Sequence, residues 1–386
     1  MRVLVVGGGI GGLTAFVALR AAGADVAVFE QAEQPGKTLV GGGFHIWPNG
    51  VRALRELGLD AAARELGAPI ERTEYWSWRG RPLSHWPVGD IARRLGAFDV
   101  GIGRGELLGL LFEATGASKV QTNSRLVEFE DDGRGVTARF ADGREERGDV
   151  LVGADGLRSV VRSKLLGPAG PDFTGYVQWQ TLADGAAGLL PDGVERITFG
   201  PGSRTVLHQV GGGRMFWACV VYGAATNGGQ PAGRKAQLLR QFGDWPAPTP
   251  ALIEMTPEEQ IVGLPVYDRK PVKQWGRGRV TLLGDAAHPM TTNTSQGGNQ
   301  AIEDGVLLGR MLGGAGAAAG DPSPVLRAYE ARRIERTTPL VTNSRFISDL
   351  NAWRDPVRVR LRDALYSVVL SRRALSDQFK AVAEPL

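Results

Sequence analysis

The chain has 386 residues, 42% of them apolar and 22% charged, a profile of a soluble globular protein with core enough for roughly two or three domains. Its single cysteine, Cys219, excludes an intrachain disulfide and points to a reducing, cytoplasmic setting. No apolar run reaches the ~20 residues of a membrane helix, and the +4 net charge makes no case for nucleic acid without stacking aromatics or a recognisable module. The charge is uneven: between Val325 and Arg373 eleven arginines stand against five acids, which reads as a solvated helical face.

Val3 to Val6 has the length of a buried strand and enters Gly7-Gly8-Gly9-Ile10-Gly11-Gly12, after which Leu13, Phe16, Val17 and Leu19 set a helical spacing. This start is too short and too glycine-rich for a signal peptide. A second strand, Asp25 to Phe29, ends in Glu30, so strand, glycine turn, helix, strand and terminal acid complete the dinucleotide fingerprint. Gly7 is expected to make the tight turn, Gly9 to let a pyrophosphate approach, and Gly12 to let helix and strand pack. Glu30, 18 residues beyond Gly12, is placed for a ribose hydroxyl.

Lys37 to Gly50 is a glycine-rich loop leading into a helix, Val51 to Leu57. Its three consecutive glycines suit a backbone passing close to a flat ligand, and Phe44, Ile46 and Trp47 are too apolar for a free surface loop. His45 in this loop either faces the ligand or satisfies a backbone group. Thr73 to Trp86 carries Tyr75, Trp76, Trp78 and Trp86 and reads as strands of a different sheet, with Trp76 and Trp78 sharing a face as core or as a substrate wall. Arg104 opens a helical run to Phe112. Arg125 to Phe129 and Val136 to Phe140 form a hairpin around Asp131-Asp132-Gly133, with a further strand before Asp149. The next apolar strand ends in Gly153-Ala154-Asp155-Gly156, where Asp155 and Arg158 either fix a phosphate or make a local salt bridge.

From Phe173 to Tyr222 the pattern alternates: Tyr176 to Thr181, Arg196 to Phe199, Arg204 to Val210 and Met215 to Tyr222 are strands of a mostly antiparallel sheet. Period two sets Arg204, Val206 and His208 on one face, and Gln178 with Gln180 on another strand. That Arg/His face is assigned to the substrate, a solvated outer face being the alternative. Val280 to Leu283 is a strand, followed by a Gly284-Asp285-Ala286-Ala287-His288 loop and a long helix opening near Gln296, buried along Ile302, Val306, Leu307 and Leu308. An acid ending a strand accepts from a sugar-alcohol chain, and a Gly-Gly helix start offers free N–H groups and a positive dipole end. Together they describe a cradle for a flavin nucleotide, the plainer reading being an ordinary strand–loop–helix corner. After Pro324 the chain is helical to its end, interrupted near Pro339 and Pro356.

Three of these stretches, Gly7 to Gly12 with Glu30, Gly153 to Gly156 with Arg158, and Gly284 to Pro289 followed by Gln296 to Asp304, resemble the FAD-dependent aromatic hydroxylase family, the single-component class A flavoprotein monooxygenases. The resemblance runs through nearly the whole chain in order. Trp47-Pro48-Asn49-Gly50 looks like the branch that holds salicylate, 6-hydroxynicotinate and urate hydroxylases and zeaxanthin epoxidase. It implies an α/β fold with a Rossmann-type FAD-binding domain similar to that of p-hydroxybenzoate hydroxylase, assembled from residues 1–72, 101–170 and 262–324. An antiparallel β-sheet substrate domain, 73–100 and 171–261, is inserted, and 325–386 form a helical C-terminal segment.

The resemblance also implies non-covalent FAD, with NAD(P)H as co-substrate and no metal. Glu30 would hold the adenosine ribose, and the backbone of Gly9, Ile10, Gly11 and Gly12 with Arg104 the pyrophosphate. Asp285 would hold the pyrophosphate–ribityl side, and Gln296, Gly297 and Gly298 would face the flavin pyrimidine edge. Asp155 would lie in the motif serving both FAD and NAD(P)H, and Gly7, Gly43, Val127 and Asn299 complete the cofactor set. In such enzymes NAD(P)H reduces the flavin, O2 adds at C4a, and the hydroperoxide passes one oxygen to an electron-rich, aromatic small molecule, hydroxylating or epoxidising it. His45, Arg204 and His208 are the catalytic candidates. The histidines would serve as bases toward a phenolic substrate, and Arg204, after the Gly200-Pro201-Gly202-Ser203 turn, resembles an arginine that contacts substrate in urate hydroxylases. A monomer or homodimer is expected.

One stretch departs from the family pattern. Members usually continue as proline-asparagine-x-glycine-glutamine-glycine, whereas this chain reads Thr292-Asn293-Thr294-Ser295-Gln296-Gly297. The replaced proline and glycine sit where members approach flavin C4a, so the oxygen pocket is expected to differ. A halogenase would carry Trp-x-Trp-x-Ile-Pro after the second motif, which Trp76-Ser77-Trp78-Arg79-Gly80 does not match. A non-enzymatic escort protein is opposed by the intact glycines, Glu30 and Asp285, and an NAD-dependent dehydrogenase leaves Gly284 to Asp304 unexplained. An oxidase or reductase on the same scaffold is the alternative function.

Overall fold

The computed structural model describes residues 1–34, 42–116, 120–223, 232–313, 320–368 and 382–383. A five-stranded parallel sheet runs in the order Val280–Leu282, Val150–Gly153, Arg2–Val6, Asp25–Phe29, Val120–Gln121. Parallel strands are covered on both faces and so consist of unbroken apolar runs; Val3, Leu4, Val5, Val150, Leu151 and Val152 are all fully buried. Beside it Leu126–Asp131, Val136–Phe140 and Glu145–Gly148 form the expected hairpin and its third strand, antiparallel throughout.

Gly7 has φ +108°, and a Cβ there would collide with the Ala154 carbonyl; a Cβ on Gly12 would collide with the Gly7 oxygen. Both positions therefore admit only glycine. The helix Ile10–Ala21 packs lengthwise against the helix Gly297–Gly313. Gly305, Gly309 and Gly313, one per turn, face it: a Cβ on Gly305 would lie 2.6 Å from Ala15 N, one on Gly309 2.5 Å from Ala18 Cβ, and one on Gly313 against Ala22 Cβ.

The second large sheet has seven strands, ordered Val262–Asp268, Asp172–Ala183, Met215–Tyr222, Ser203–Gln209, Val194–Gly200, Arg72–Ser77, Pro82–Trp86, antiparallel except where Val194–Gly200 meets Arg72–Ser77. Trp76 pairs in register with Thr198, Thr205, Cys219 and Trp179, which puts it on the sheet face whose core around Trp217 Trp78 also joins, and Trp76 packs under the Arg196 guanidinium. A small sheet of Gly43–Ile46, Val100–Gly103 and Ala68–Pro69 sits beside the large ones. Its first strand presses on the seven-stranded sheet so closely that a Cβ on Gly43 would lie 2.5 Å from Phe216 Cγ.

Two expectations about the C-terminus are corrected. The helix Ser323–Asn351 runs through Pro339 without interruption, and the break comes only before Pro356–Val368. Proline forfeits one helical hydrogen bond, but anchors on either side keep the helix whole: Arg333 is tied to Glu303 and Asp304, and Ser344 to Thr291. Nor are the arginines of this segment all solvated, since Arg333 and Arg362 are fully buried.

Candidate active site

The loops that follow the C-terminal ends of three parallel strands open onto one cavity of about 340 Å³, where ligands of open α/β sheets bind. Gly9 to Gly11 contribute from the first strand, Ala154 and Gly156 from the Val150–Gly153 strand, and Leu283 to Asp285 from the Val280–Leu282 strand. The opposite wall is the seven-stranded sheet, through Gln178, Gln180, Arg204, Val206, His208 and Phe216. The alternation read from the sequence therefore turns Arg204, Val206 and His208 inward, not to solvent.

On the first wall two helices begin. Ile10–Ala21 has no side-chain cap, and a Cβ on Gly9 would meet nothing within 4 Å. Gly297 and Gly298 open the other helix, and a side chain on Gly298 would displace the Phe44 ring. The Arg104 guanidinium lies 5.4 Å from the centre of that ring, and its Nε is buried without an acceptor among the described residues. Burial lowers the Arg104 pKa from its ordinary value while Asp285, exposed in the cavity, opposes the shift. Unfilled helix N–H groups, an unsatisfied guanidinium nitrogen and a carboxylate on one wall fit a molecule with both phosphate and hydroxyl groups, as FAD has.

Several of the expected cofactor residues also have structural partners of their own or lie off the cavity lining. Glu30 accepts from Gly8 N at 2.6 Å and Ala32 N at 2.8 Å, bracing the glycine turn. Val127 is 42% exposed on the hairpin strand, outside the cavity. The Asp155 carboxylate accepts from Ser159 Oγ, Val160 N and Val161 N, stapling the start of Val160–Leu166, and is not paired with Arg158. Arg158 stacks over Tyr267 instead. Asn299 is also engaged structurally. Its Oδ1 accepts from Trp47 N, and its Nδ2 donates to the His45 and Ser295 carbonyls, so its side chain joins helix to strand. Gln296 Oε1 accepts from Asn49 and Gln300, and its Nε2 has no partner. Lys37 to Gly41 of the glycine-rich loop lie outside the described residues.

His45 lines the cavity with both ring nitrogens facing carboxylates. Its Nε2 lies 3.0 Å from Asp99 and its Nδ1 3.3 Å from Glu195, and the ring stacks on Trp47. Burial alone would lower its pKa, but the Glu195 charge and the Asp99 hydrogen bond outweigh it and raise the pKa to about 9. A group already protonated at neutral pH has no lone pair with which to take a proton. Burial lifts Asp99 to about 6 despite His45, whereas Glu195, which burial would also lift, is held at about 2 chiefly by the His45 charge. His208 is different: burial lowers its pKa from 6.5, with Glu195 opposing. Its Nδ1 sits 3.1 Å from the Gln209 carbonyl, an acceptor, which places the neutral ring's proton there and leaves the lone pair on Nε2.

Arg204 is buried, donates through Nη2 to Thr292 Oγ1 at 3.1 Å, and pairs with no carboxylate among the described residues. Thr292, Tyr176 and Gln178 gather around it, while burial pushes the Tyr176 hydroxyl up to about 12 and so keeps it a donor. Beneath the Gly284 loop lies a buried ion cluster: Asp304 accepts from Gly284 N, His288 Nε2 and Arg333 Nε, and Arg333 and Arg336 bind Glu303. Burial works against the Asp304 charge, but His288 and Arg333 hold its pKa at about 2. Sequence reasoning missed Asp99, Glu195 and Thr292 as site residues. Only the departure at Thr292 signalled itself, as a hydroxyl in place of proline.

A family model described as FAD binding domain matches residues 1–183 and 259–344. The chain is similar to the aurachin C monooxygenase/isomerase of Stigmatella aurantiaca, 38% identical over 373 residues that span 97% of this chain and 95% of that protein. It is 33% identical over 369 residues to the FAD-dependent urate hydroxylase of Klebsiella pneumoniae, spanning 95% and 94%. Among solved structures, Klebsiella pneumoniae HpxO complexed with FAD and uric acid superposes with a TM-score of 0.91 at 30% identity, over 100% of this chain and 97% of that one. With the cavity built as described, these matches settle the kinship: the chain belongs to the FAD-dependent aromatic hydroxylase family.

Proposed function

We propose that this protein is a FAD-dependent monooxygenase that uses NAD(P)H and O2 to hydroxylate or epoxidise an electron-rich aromatic or heteroaromatic small molecule. The observation that carries the reading is a single cavity with two unlike walls: helix starts, Arg104 and Asp285 on one, a buried and unneutralised Arg204 with His208 on the other. When bound, FAD supplies oxygen activation and transfer, chemistry no side chain here provides. The chain's share is to hold and orient. The N–H groups at residues 9–11 and Arg104 would hold the pyrophosphate, Asp285 the hydroxyl chain, and the positive end of Gly297–Gly313 would stabilise negative charge on the flavin.

On the other wall Arg204 attracts an anionic oxygen, and neutral His208 offers Nε2 as the base that removes a phenolic or lactam proton and enriches the ring. Val266 and Met290, both buried, add apolar surface to the cavity lining. The similarity to enzymes of urate and aurachin C supports a planar substrate with an acidic O–H or N–H. The division into FAD and substrate domains, with boundaries as expected from the sequence, belongs to the same proposal.

The test is substrate-stimulated NAD(P)H oxidation across a panel that includes urate, salicylate and 6-hydroxynicotinate, with product analysed after turnover under isotopically labelled O2. Label in the product is expected. Flavin reduction without label in any product would favour an oxidase or reductase, and a protein that stays colourless after reconstitution with FAD would overturn the reading altogether.

A further inference from the structure

Thr292 stands where the family pattern has proline, and its side chain is the hub of a polar cluster on the substrate wall. Its Oγ1 donates to Gln178 Oε1 at 2.8 Å and lies 3.1 Å from both Tyr176 OH and Arg204 Nη2. Its backbone N–H donates to the Tyr176 oxygen at 3.1 Å. Donor chemistry fixes every direction. Arg204 only donates; Tyr176, having accepted from the Thr292 N–H, gives its own proton to Oγ1; Oγ1 gives its proton to Gln178, whose amide donates to Gln180 Oε1 at 2.6 Å. Thr292 Oγ1 thus accepts twice and donates once, and its capacity is used up.

Arg204 at the head of this chain is 3% exposed and lacks a carboxylate partner among the described residues, and its Nε has no acceptor. Buried charges are ordinarily paired, because an unpaired one is costly. Here a hydroxyl and, at 3.5 Å, the Thr292 carbonyl face one guanidinium nitrogen. An acid in that place would hold the group too, but would cancel the charge that an anionic substrate needs. A neutral tether fixes the guanidinium and leaves its charge intact.

We propose that Thr292 is a positioning residue: it aims the Arg204 guanidinium at the substrate's anionic oxygen without neutralising it, and thereby sets which planar anions are held in the reactive orientation. This rests on the monooxygenase reading for the identity of the ligand, not for the geometry. Proline at this position would delete both the hydroxyl and the N–H that orders Tyr176, and would leave Arg204 free to swing.

The experiment compares the FAD-loaded parent enzyme with Thr292→Val, Thr292→Pro and Thr292→Ser. Crystal structures read the guanidinium position directly: the serine variant is expected to keep it, and the valine and proline variants to move it by more than about 1 Å, the scale at which a hydrogen bond is lost. With urate as probe, kcat/KM should fall about tenfold to a hundredfold in the valine and proline variants, the range for a lost hydrogen bond to a charged group. Serine should restore most of that loss, with flavin content equal in all four proteins. A guanidinium in place in the valine variant, or a serine variant as impaired as valine, overturns the proposal. If the parent enzyme neither binds nor turns over urate, the choice of substrate class fails, and the crystal structures still decide the role of Thr292.

Discussion

Replacing His45 by Asn asks whether the Asp99–His45–Glu195 cluster stabilises the fold through charge. The imidazole is raised from 6.5 to about 9, and a shift of that size corresponds to about 3 kcal/mol favouring the folded, protonated state. Because the folded value lies above the unfolded one, this contribution is complete below about pH 6.5 and is lost as pH rises through about 9. Asp99 adds a trend of the same sign at lower pH: its folded value of about 6 exceeds the model-peptide 3.8, so its ionisation costs stability as pH climbs between the two. Glu195, held at about 2, contributes the other way, with stability present above about 4 and lost only toward 2.

With Asn at position 45 two buried carboxylates face each other without a cation. The variant should be weaker by about 3–5 kcal/mol near neutral pH, the range for breaking a buried ion pair. It should recover part of this as pH falls and Asp99 takes up a proton. Urea unfolding of the FAD-loaded proteins at a series of values between about pH 5 and 9 measures both curves, the window spanned by the two raised values. Parallel curves for the two proteins, or a parent whose stability is flat between about 6.5 and 9, would refute the reasoning.

Asp285→Ala should loosen FAD about tenfold to a hundredfold, the range for losing a charged acceptor; flavin fluorescence on dilution reads it, and unchanged retention counts against the assigned role. Ser295 has φ +52°, where a non-glycine residue pays roughly 1–2 kcal/mol and glycine only its backbone entropy of about 0.5–1 kcal/mol. Ser295→Gly is therefore expected to raise the melting temperature slightly, and a lower one would show that the seryl side chain matters more than the strain. Arg333→Met leaves Glu303 and Asp304 without their fully buried cation and should cost about 3–5 kcal/mol, with a drop of several degrees by calorimetry; a melting point within a degree of the parent, on the order of a few tenths of a kcal/mol, would mean that the other partners suffice.

The first two parallel strands and the glycine turn between them were legible because they are local: an apolar run, a φ that only glycine tolerates, and an acid at a fixed offset all lie within thirty residues. The inward face of Arg204, Val206 and His208 was legible for a similar reason, since period two needs no partner to be read. What the sequence withheld is long-range. Asp99, just before the strand Val100–Gly103, and Glu195, in Val194–Gly200, close on His45 from far along the chain, and nothing local to His45 announces either carboxylate. The C-terminal arginines read as solvent-facing because periodicity records spacing and not which acid waits across the interface; Glu303 and Asp304 claim Arg333 from a different helix. Asp155 caps a helix in the structure, and the sequence does not show this because helix capping and ligand binding draw on the same carboxylate.

The glycines at 305, 309 and 313 have a mechanical implication. They let the two helices pack closely, so the N–H groups at residue 9 and those at residue 297 open onto one cavity from what is effectively a single rigid bracket. A bulkier residue at the far end of that seam touches nothing in the cavity, yet would pry the bracket apart like a wedge driven into the handles of tongs. Variants selected for altered cofactor handling should therefore turn up along this seam as well as inside the cavity.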